Sequence, residues 1–471
     1  MVLPISVSTM RATAMTPLFR LLILFTCLAW NPSSSGSSPG KPNFVLILLD
    51  NIGKEWFGSE GSLEHRTPHI DQLAREGVRF ENCYASPICS VSRVLLLTGR
   101  YPFRTGWTFH HDAGIYGGGN FDWAREQTFA RILRDQGYAT GISGKWQISN
   151  FNDPGQENSL REHGFDEFLI TPGGRQDSKY WDPMLNENGV NSLRKGTYAP
   201  DVFVNFAIEF MRHHREQPFM LYLPLTLAHK PFTPTPDHTD PNASPQELFA
   251  NSVEYADRLV GKVAKSLDEL GLRDNTVLFV TSDNGNEDNI SARTQSGLVP
   301  GKIYTMAEQS INMPLIVNCP RLIPGGRSGS LADYSDLLPT MAELAGIPLP
   351  TEHPIDGQSF AAWLRGNDAK PPRTWIHTAL QDERVIRNER FKLYASAGTP
   401  DKFFDLKNDP QETRNLISSS ENDVSTARRQ LESILKSFPE DAPMGFEPQS
   451  ITAREFRAKK QAGSTEKPEA Q

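Results

Sequence analysis

The sequence predicts an α/β fold, a large and mostly parallel sheet sandwiched by helices, followed by a small C-terminal α+β subdomain. Three observations lead there. Short, continuously apolar runs alternate with amphipathic stretches from residue 43 onward. The helical stretches open on capping residues and close on glycines. Around Lys370-Pro371-Pro372 the alternation breaks, and only short strand-like segments follow.

The elements follow in order. Residues 44–49 are apolar throughout and end at Asp50, the pattern of a strand buried on both faces. Thr67-Pro68 provides an N-cap and a first helical residue; Ile70, Leu73 and Ala74 form the inner stripe, and Gly77 closes the helix. Thr128 to Gln136 repeats the device, with Phe129, Ile132 and Leu133 inward and Gly137 after the end. Residues 138–142 form the next strand. A helix over 201–212 leads to a strand over 219–225, and a long helix bearing Leu259, Val260, Val263, Leu267 and Leu270 leads to a strand over 277–281. Such an alternation gathers the C-terminal ends of parallel strands on one edge, where ligands bind. Asp50 and Asp283 fall on that edge.

Composition narrows the function. A chain of 471 residues accommodates one large domain and a smaller one. A net charge of −8, with no basic run interleaved with aromatics, argues against nucleic acid as a partner. Four cysteines make no disulfide scaffold at this length. Arg11 and Arg20 precede an apolar stretch from Leu21 to Trp30 and then a run of small polar residues, which reads as a secretory signal. An uncleaved N-terminal anchor is the alternative, and a lipoprotein reading through Cys27 is weaker, because Phe25 and Thr26 suit it poorly. No other segment is apolar enough for a stable membrane span. The mature protein is expected to begin near Gly40, secreted or periplasmic.

Residues 89–99 read Cys-Ser-Val-Ser-Arg-Val-Leu-Leu-Leu-Thr-Gly. A thiol sits four residues before an arginine at a helix start, so Arg93 shares the face of Cys89. The helix N-terminus adds partial positive charge and free N–H groups. Asp50-Asn51 and Asp283-Asn284 close two strands with oxygen-bearing side chains, the ligands hard cations such as calcium choose. Asp283-Asn284-Gly285 is also an ordinary turn signal. Lys145 lies in Gly-Lys-Trp-Gln after a strand, and alone reads equally as a solvated loop lysine. His229, just past a strand end, could protonate a departing alcohol oxygen, since imidazole titrates near neutrality. His110 and His111, after Arg104-Thr105-Gly106-Trp107, read equally as substrate contacts and as surface histidines.

Cys89, Ser92, Arg93, Thr98, Gly99 and Arg100 resemble the signature of the type I sulfatases, arylsulfatase-like members of the alkaline phosphatase superfamily. That signature is Cys-x-Pro-Ser-Arg followed by Leu-Thr-Gly-Arg; Val91 stands here where the proline belongs. In the family the cysteine becomes formylglycine, the catalytic aldehyde, so the resemblance implies a formylglycine-generating enzyme as a maturation partner. Residues 144–147 resemble the family's Gly-Lys-Trp-His element, with Gln147 replacing a substrate-contacting histidine. His229 matches a His-x-Pro element, and Lys302 matches a lysine that contacts sulfate. Asp50, Asn51, Cys89 as formylglycine, Asp283 and Asn284 match the calcium site, with Asn51 where the family usually has aspartate. Glu308 to Pro314 corresponds to a Glu-Gly-Gly-x-Arg-x-Pro segment whose glycines and arginine are missing, so it carries no catalytic role here. Asp336 to Thr340 is another match, expected to cap and pack. Phe403 to Pro410 resembles the turn of the family's C-terminal subdomain.

The resemblance implies a signal peptide and linker over 1–40, a catalytic domain over 41–370, a C-terminal subdomain over 371–447 and a disordered tail over 448–471. It further implies a sulfuric ester hydrolase acting on a sulfated carbohydrate or an aryl sulfate. Hydrated formylglycine would attack sulfur, Lys145, Lys302 and the cation would hold the sulfate oxygens, and His229 would protonate the leaving group. Arg93 would orient the diol and Asp283 accept its proton. Two other readings remain open: a phosphate or phosphonate ester hydrolase on the same scaffold, and a non-catalytic binding protein that kept the pocket.

Overall fold

The computed structural model describes residues 40–63, 66–110, 119–173, 179–366 and 373–443. The expected signal peptide with Cys27, the boundary at 370/371, the tail and His111 all lie outside the described residues.

Among the described residues, twelve strands precede the C-terminal region: β1 (Asn43–Leu49), β2 (Val78–Tyr84), β3 (Ala139–Gly144), β4 (Glu167–Ile170), β5 (Met184–Glu187), β6 (Val190–Leu193), β7 (Phe219–Pro224), β8 (Thr276–Ser282), β9 (Ser291–Thr294), β10 (Gly297–Pro300), β11 (Asn312–Asn318) and β12 (Gly326–Asp333). Ten of them form one sheet in the order β12-β2-β11-β8-β1-β7-β3-β4-β5-β6, while β9 and β10 make a separate hairpin. The centre is parallel from β8 through β1, β7 and β3 to β4. β11 runs antiparallel between β8 and β2, and β5 and β6 close the other edge antiparallel.

β1 shows why the sheet must be a middle layer. Every residue of it is buried; Phe44, Leu46 and Leu48 enter one core, and Val45, Ile47 and Leu49 enter the other. Helices Pro68–Glu76, Ala199–His213 and Pro245–Glu269 cover the Val45 face through residues such as Leu73, Phe203 and Val260. Helices Cys89–Thr98, Phe129–Arg134 and Leu337–Ala345 cover the Phe44 face through Val91, Leu133 and Met341. The long helix starts earlier than its apolar stripe suggested. Ser244 and Glu247 form a reciprocal capping box with Pro245 as first residue, and this start signal precedes the stripe by more than three turns.

The register brings the site together. Leu49 of β1 pairs with Ser282 of β8, so Asp50 and Asp283 leave the sheet level with one another. Strands β13 (Ile376–Leu380), β14 (Glu383–Arg387), β15 (Phe391–Ser396) and β16 (Thr399–Asp405) form an antiparallel sheet. Val424, Ala427, Leu431 and Leu435 of helix Asn422–Lys436 pack on it. Ile376, Leu380 and Val385 belong to the large core, so this sheet is built into the same compact unit as the large one. No described helix is long and apolar enough to cross a membrane.

Candidate active site

The site begins where β1 and β8 end. The Asp50 amide donates to the Leu227 carbonyl at 2.7 Å and the Ala228 amide donates to the Asp50 carbonyl at 2.6 Å, so main-chain bonds fix this turn. Asn51 has φ 57°, a left-handed conformation that asparagine tolerates better than most residues. Its amide donates to Asp283 Oδ1 at 3.0 Å, and Asn284 Nδ2 donates to Asn51 Oδ1 at 2.7 Å. Gly285 must be glycine: a Cβ there would lie 1.9 Å from the Gln309 carbonyl oxygen.

Helix Cys89–Thr98 delivers the thiol and the arginine. All ten of its residues are buried, as expected of a helix apolar on most sides. Ser92 Oγ donates to the Ser86 carbonyl at 2.9 Å and accepts from the Ser86 amide at 3.0 Å, clamping the turn that leads into it. Cys89 Sγ lies 3.4 Å from Asn51 Oδ1 and 3.7 Å from Asp50 Oδ1. One turn on, Arg93 reaches Asp283 Oδ2 at 2.7 Å and Asp50 Oδ2 at 3.5 Å, and donates to the Lys145 carbonyl at 2.8 Å.

Lys145 arrives from the end of β3. Gly144 has φ 132° and sits so close to β7 that a Cβ would lie 2.0 Å from the Pro224 carbonyl oxygen. The Lys145 ammonium meets Asp50 Oδ2 at 2.6 Å. Two carboxylates and two cations therefore share this pocket, a balanced set. A ring nitrogen of His229, a carboxylate oxygen of Asp50 and Cys89 Sγ lie within 4.8 Å of one another. His229 Nδ1 bonds the Lys230 carbonyl at 2.6 Å, which leaves Nε2 for a substrate.

Burial shapes the electrostatics. It pushes the Cys89 thiol well up, reinforced by Asp283 and Asp50 against Lys145 and Arg93, so the unmodified residue stays a neutral thiol and a poor nucleophile. Burial also holds His229 well below the usual imidazole range, helped by the nearby ammoniums of Lys145 and Lys179. Several hydrogen-bonding atoms are buried and unspent: Arg93 Nε, Gln147 Oε1 and Asn284 Oδ1. Gln147, like Asn51, holds a positive φ, here 71°.

The donor set fits a hard cation. Asp50, Asn51, Asp283 and Asn284 bring carboxylate and amide oxygens to the ends of β1 and β8, and the orphaned Asn284 carbonyl oxygen is a ligand atom without an occupation inside the protein. The Cys89 sulfur is too soft for such an ion, whereas an oxygen at its place would complete the set.

The Lys302 side chain is exposed and makes no hydrogen bond or ion pair among the described residues. His110 is buried rather than overhanging: its Nδ1 lies 3.4 Å from Ser90 Oγ, and its ring stands 6.0 Å from that of Tyr304. Lys179 and Tyr180 went unnoticed in the sequence. Lys179 Nζ lies 3.4 Å from His229 Nδ1, and the Tyr180 hydroxyl donates to the Thr226 carbonyl at 2.8 Å and to that of His229. No spacing to His229 announces either, because the tertiary fold alone brings them there. Asp333 caps the short turn Tyr334–Asp336; Asp336 accepts from the Asp333 amide in return and grips Arg373, and its side chain makes no cap on helix Leu337–Ala345.

The strand ends of this mostly parallel sheet thus gather a buried thiol, paired cations and a cluster of carboxylate and amide oxygens at the edge where such sheets bind ligands. Residues 42–347 match the Sulfatase family, and residues 302–439 match the family described as N-sulphoglucosamine sulphohydrolase, C-terminal. Arylsulfatase A of Bos taurus is 30% identical over 488 residues, spanning 91% of this chain and 93% of its own. N-acetylgalactosamine-6-sulfatase of Canis lupus familiaris is 31% identical, spanning 74% of this chain and 70% of its own. A solved sulfatase from work on glycosaminoglycan metabolism by Bacteroides thetaiotaomicron superposes with TM-score 0.70 at 25% identity, over 84% of this chain and 99% of that one. The chain belongs to the sulfatase family, and is a sulfuric ester hydrolase.

Proposed function

We propose that this chain hydrolyses sulfate monoesters of carbohydrates outside the cytoplasm, after conversion of Cys89 to formylglycine and with calcium in the pocket at the strand ends. The observation that carries this reading is the position of Cys89 Sγ, within 3.7 Å of both Asp50 and Asn51, on the helix that also delivers Arg93. Relatives whose names specify N-acetylgalactosamine-6-sulfate chemistry support the carbohydrate assignment.

Formylglycine would supply an oxygen nucleophile at position 89, and calcium, held by Asp50, Asn51, Asp283 and Asn284, would supply positive charge for the sulfuryl oxygens. The chain's own residues do the rest. Lys145 offers its ammonium to a sulfate oxygen once substrate competes for it with Asp50. Arg93 holds Asp283 and Asp50 in place through its ion pairs. Gln147 can donate an amide hydrogen bond to sulfate where an imidazole would stand in the family. His229 holds Nδ1 on the Lys230 carbonyl and presents Nε2 to the leaving oxygen. Burial and the ammoniums of Lys145 and Lys179 depress the imidazole of the free protein, and an anionic ester beside it would counter the part due to the ammoniums.

Mass spectrometry of tryptic peptide 80–93, from protein made in its own host, tests the maturation step. Loss of the thiol mass in favour of an aldehyde at Cys89 is the expected result; an intact thiol in active protein would sink it.

A further inference from the structure

A groove of about 940 Å³ opens between residues 300–309 and the C-terminal sheet. It starts beside the active site. The Tyr304 amide donates to the Pro87 carbonyl at 3.1 Å, two residues before Cys89, and the Gln381 amide donates to the Thr108 carbonyl at 2.9 Å, two residues before His110. Lys302 stands on its wall, and from there the groove runs across β15 and β16 past Tyr394, Lys402 and Gln411.

The groove's carboxylates are occupied. Glu412 meets the Lys392 ammonium at 2.8 Å and accepts from the Tyr394 hydroxyl at 2.8 Å; Asp401 accepts from Ser396 Oγ at 3.1 Å, and Glu383 has a partner of its own. Arg384 is likewise occupied, by Asp441. Left unspent are two ammoniums, Lys302 and Lys402, and two side-chain amides, Gln309 and Gln411. None of the four makes a hydrogen bond or ion pair among the described residues, and all line the same groove. Lys402 is steadied over the Tyr394 ring, 5.5 Å from its centroid. Unspent cations and amides beside an aromatic wall suit a ligand that carries anionic groups and hydroxyls along its length.

We propose that this groove is a subsite for the neighbouring units of a polyanionic oligosaccharide, so that the enzyme acts on sulfated chains in preference to single sugars or small aryl sulfates. The proposal rests on the sulfatase reading and specifies its substrate.

The test compares wild type, the double variant Lys402→Ala/Gln411→Ala, and Lys402→Arg. Substrates are para-nitrophenyl sulfate, a sulfated monosaccharide, and a panel of sulfated glycosaminoglycan, carrageenan and fucan oligosaccharides. The double variant should raise KM for the preferred oligosaccharide about tenfold and flatten its salt dependence, with turnover of para-nitrophenyl sulfate unchanged. Lys402→Arg, which keeps the cation, should stay close to the wild-type KM. An unchanged oligosaccharide KM overturns the subsite, as do parallel losses on both substrates, or a wild type that favours no oligosaccharide over the monosaccharide. A wild type that turns over no sulfate ester defeats the sulfatase reading instead. The groove is then judged by calorimetric titration with the same oligosaccharides: tenfold weaker binding to the double variant upholds it, and equal or absent binding overturns it.

Discussion

Two of the buried arginines, Arg373 and Arg93, each face a pair of aspartates, and they serve opposite ends. Arg373 faces Asp333 and Asp336 beneath helix Leu337–Ala345. Its Nε donates to both Asp336 oxygens at 2.7 Å, and its terminal nitrogens reach the Tyr101 hydroxyl at 2.9 Å and Ser335 Oγ at 2.8 Å. Every nitrogen is spent. Arg93 faces Asp50 and Asp283 at the sheet edge, yet its Nε has no partner, and the orphaned Gln147 and Asn284 oxygens belong to the same site. Leaving buried polar atoms unsatisfied costs about 1–3 kcal/mol each, a cost that a ligand bound at this sheet edge would remove. The closed cluster holds the protein together; the open one is for work.

The sharpest way to break that contrast is to disable one cluster at a time. Cys89→Ala should lower sulfatase turnover by at least about a thousandfold, because no other group can replace the nucleophile. Its urea unfolding midpoint should stay close to wild type, since only one sulfur atom leaves a site that is already open. Turnover surviving in Cys89→Ala would remove the open cluster from catalysis. Arg373→Ala should do the reverse. Two buried aspartates lose their counter-charge, a change that typically costs about 3–5 kcal/mol. Urea unfolding should register that loss, while the protein that remains folded keeps its kcat. A kcat that falls as far as stability would mean the two clusters are coupled.

The same contrast explains what could be read from the sequence. The central strands were legible because burial on both faces forces continuous apolar runs, as in residues 44–49. Asp50 and Asp283 were legible because they end such runs, and Cys89 and Arg93 because four residues make one helical turn. Neither Lys179 nor Tyr180 carries a local signal; the loop that holds them meets His229 only after folding. Lys302 was legible only through its match to a family lysine; that it also lines the groove along the C-terminal sheet has no local signal. The early start of the long helix was there to be read, in Ser244-Pro245-Gln246-Glu247, but lies outside the apolar stripe that drew attention.

A third cluster stands between the two extremes and responds to acid. Glu308 receives the Tyr84 hydroxyl at 2.6 Å and the Lys392 ammonium at 2.8 Å, joining β15 to the large domain. Burial alone would raise its carboxyl, but Lys392 and Arg387 prevail and bring it down to about 2 from the ordinary 4.5. A carboxyl depressed in the folded state adds stability that is complete above about pH 4.5 and is lost as the pH falls toward 2. That contribution is on the order of 2–3 kcal/mol. Glu308→Gln should therefore be less stable at neutral pH and should show a flatter acid limb between those values, followed by urea unfolding. An acid limb as steep as that of wild type would show that the ion pairs at Glu308 do not govern docking of the small sheet.

The smallest effect concerns Asn51, where the open cluster has one carboxylate fewer than the family pattern. Asn51 already directs Oδ1 toward Cys89 and accepts from Asn284 Nδ2, so an aspartate would fit the same hydrogen bonds while adding a negative charge. Asn51→Asp should tighten calcium binding by about tenfold, since ligand charge count sets the affinity of oxygen-donor sites. Calorimetric titration of the metal-stripped protein measures this without reference to turnover. Unmatured protein, with its neutral thiol, should show the same ordering at lower affinity, because a sulfur takes the place of a hard ligand. If Asn51→Asp bound calcium no more tightly than wild type, the ion would have to sit away from the ends of β1 and β8, and the unspent Asn284 oxygen would need another partner.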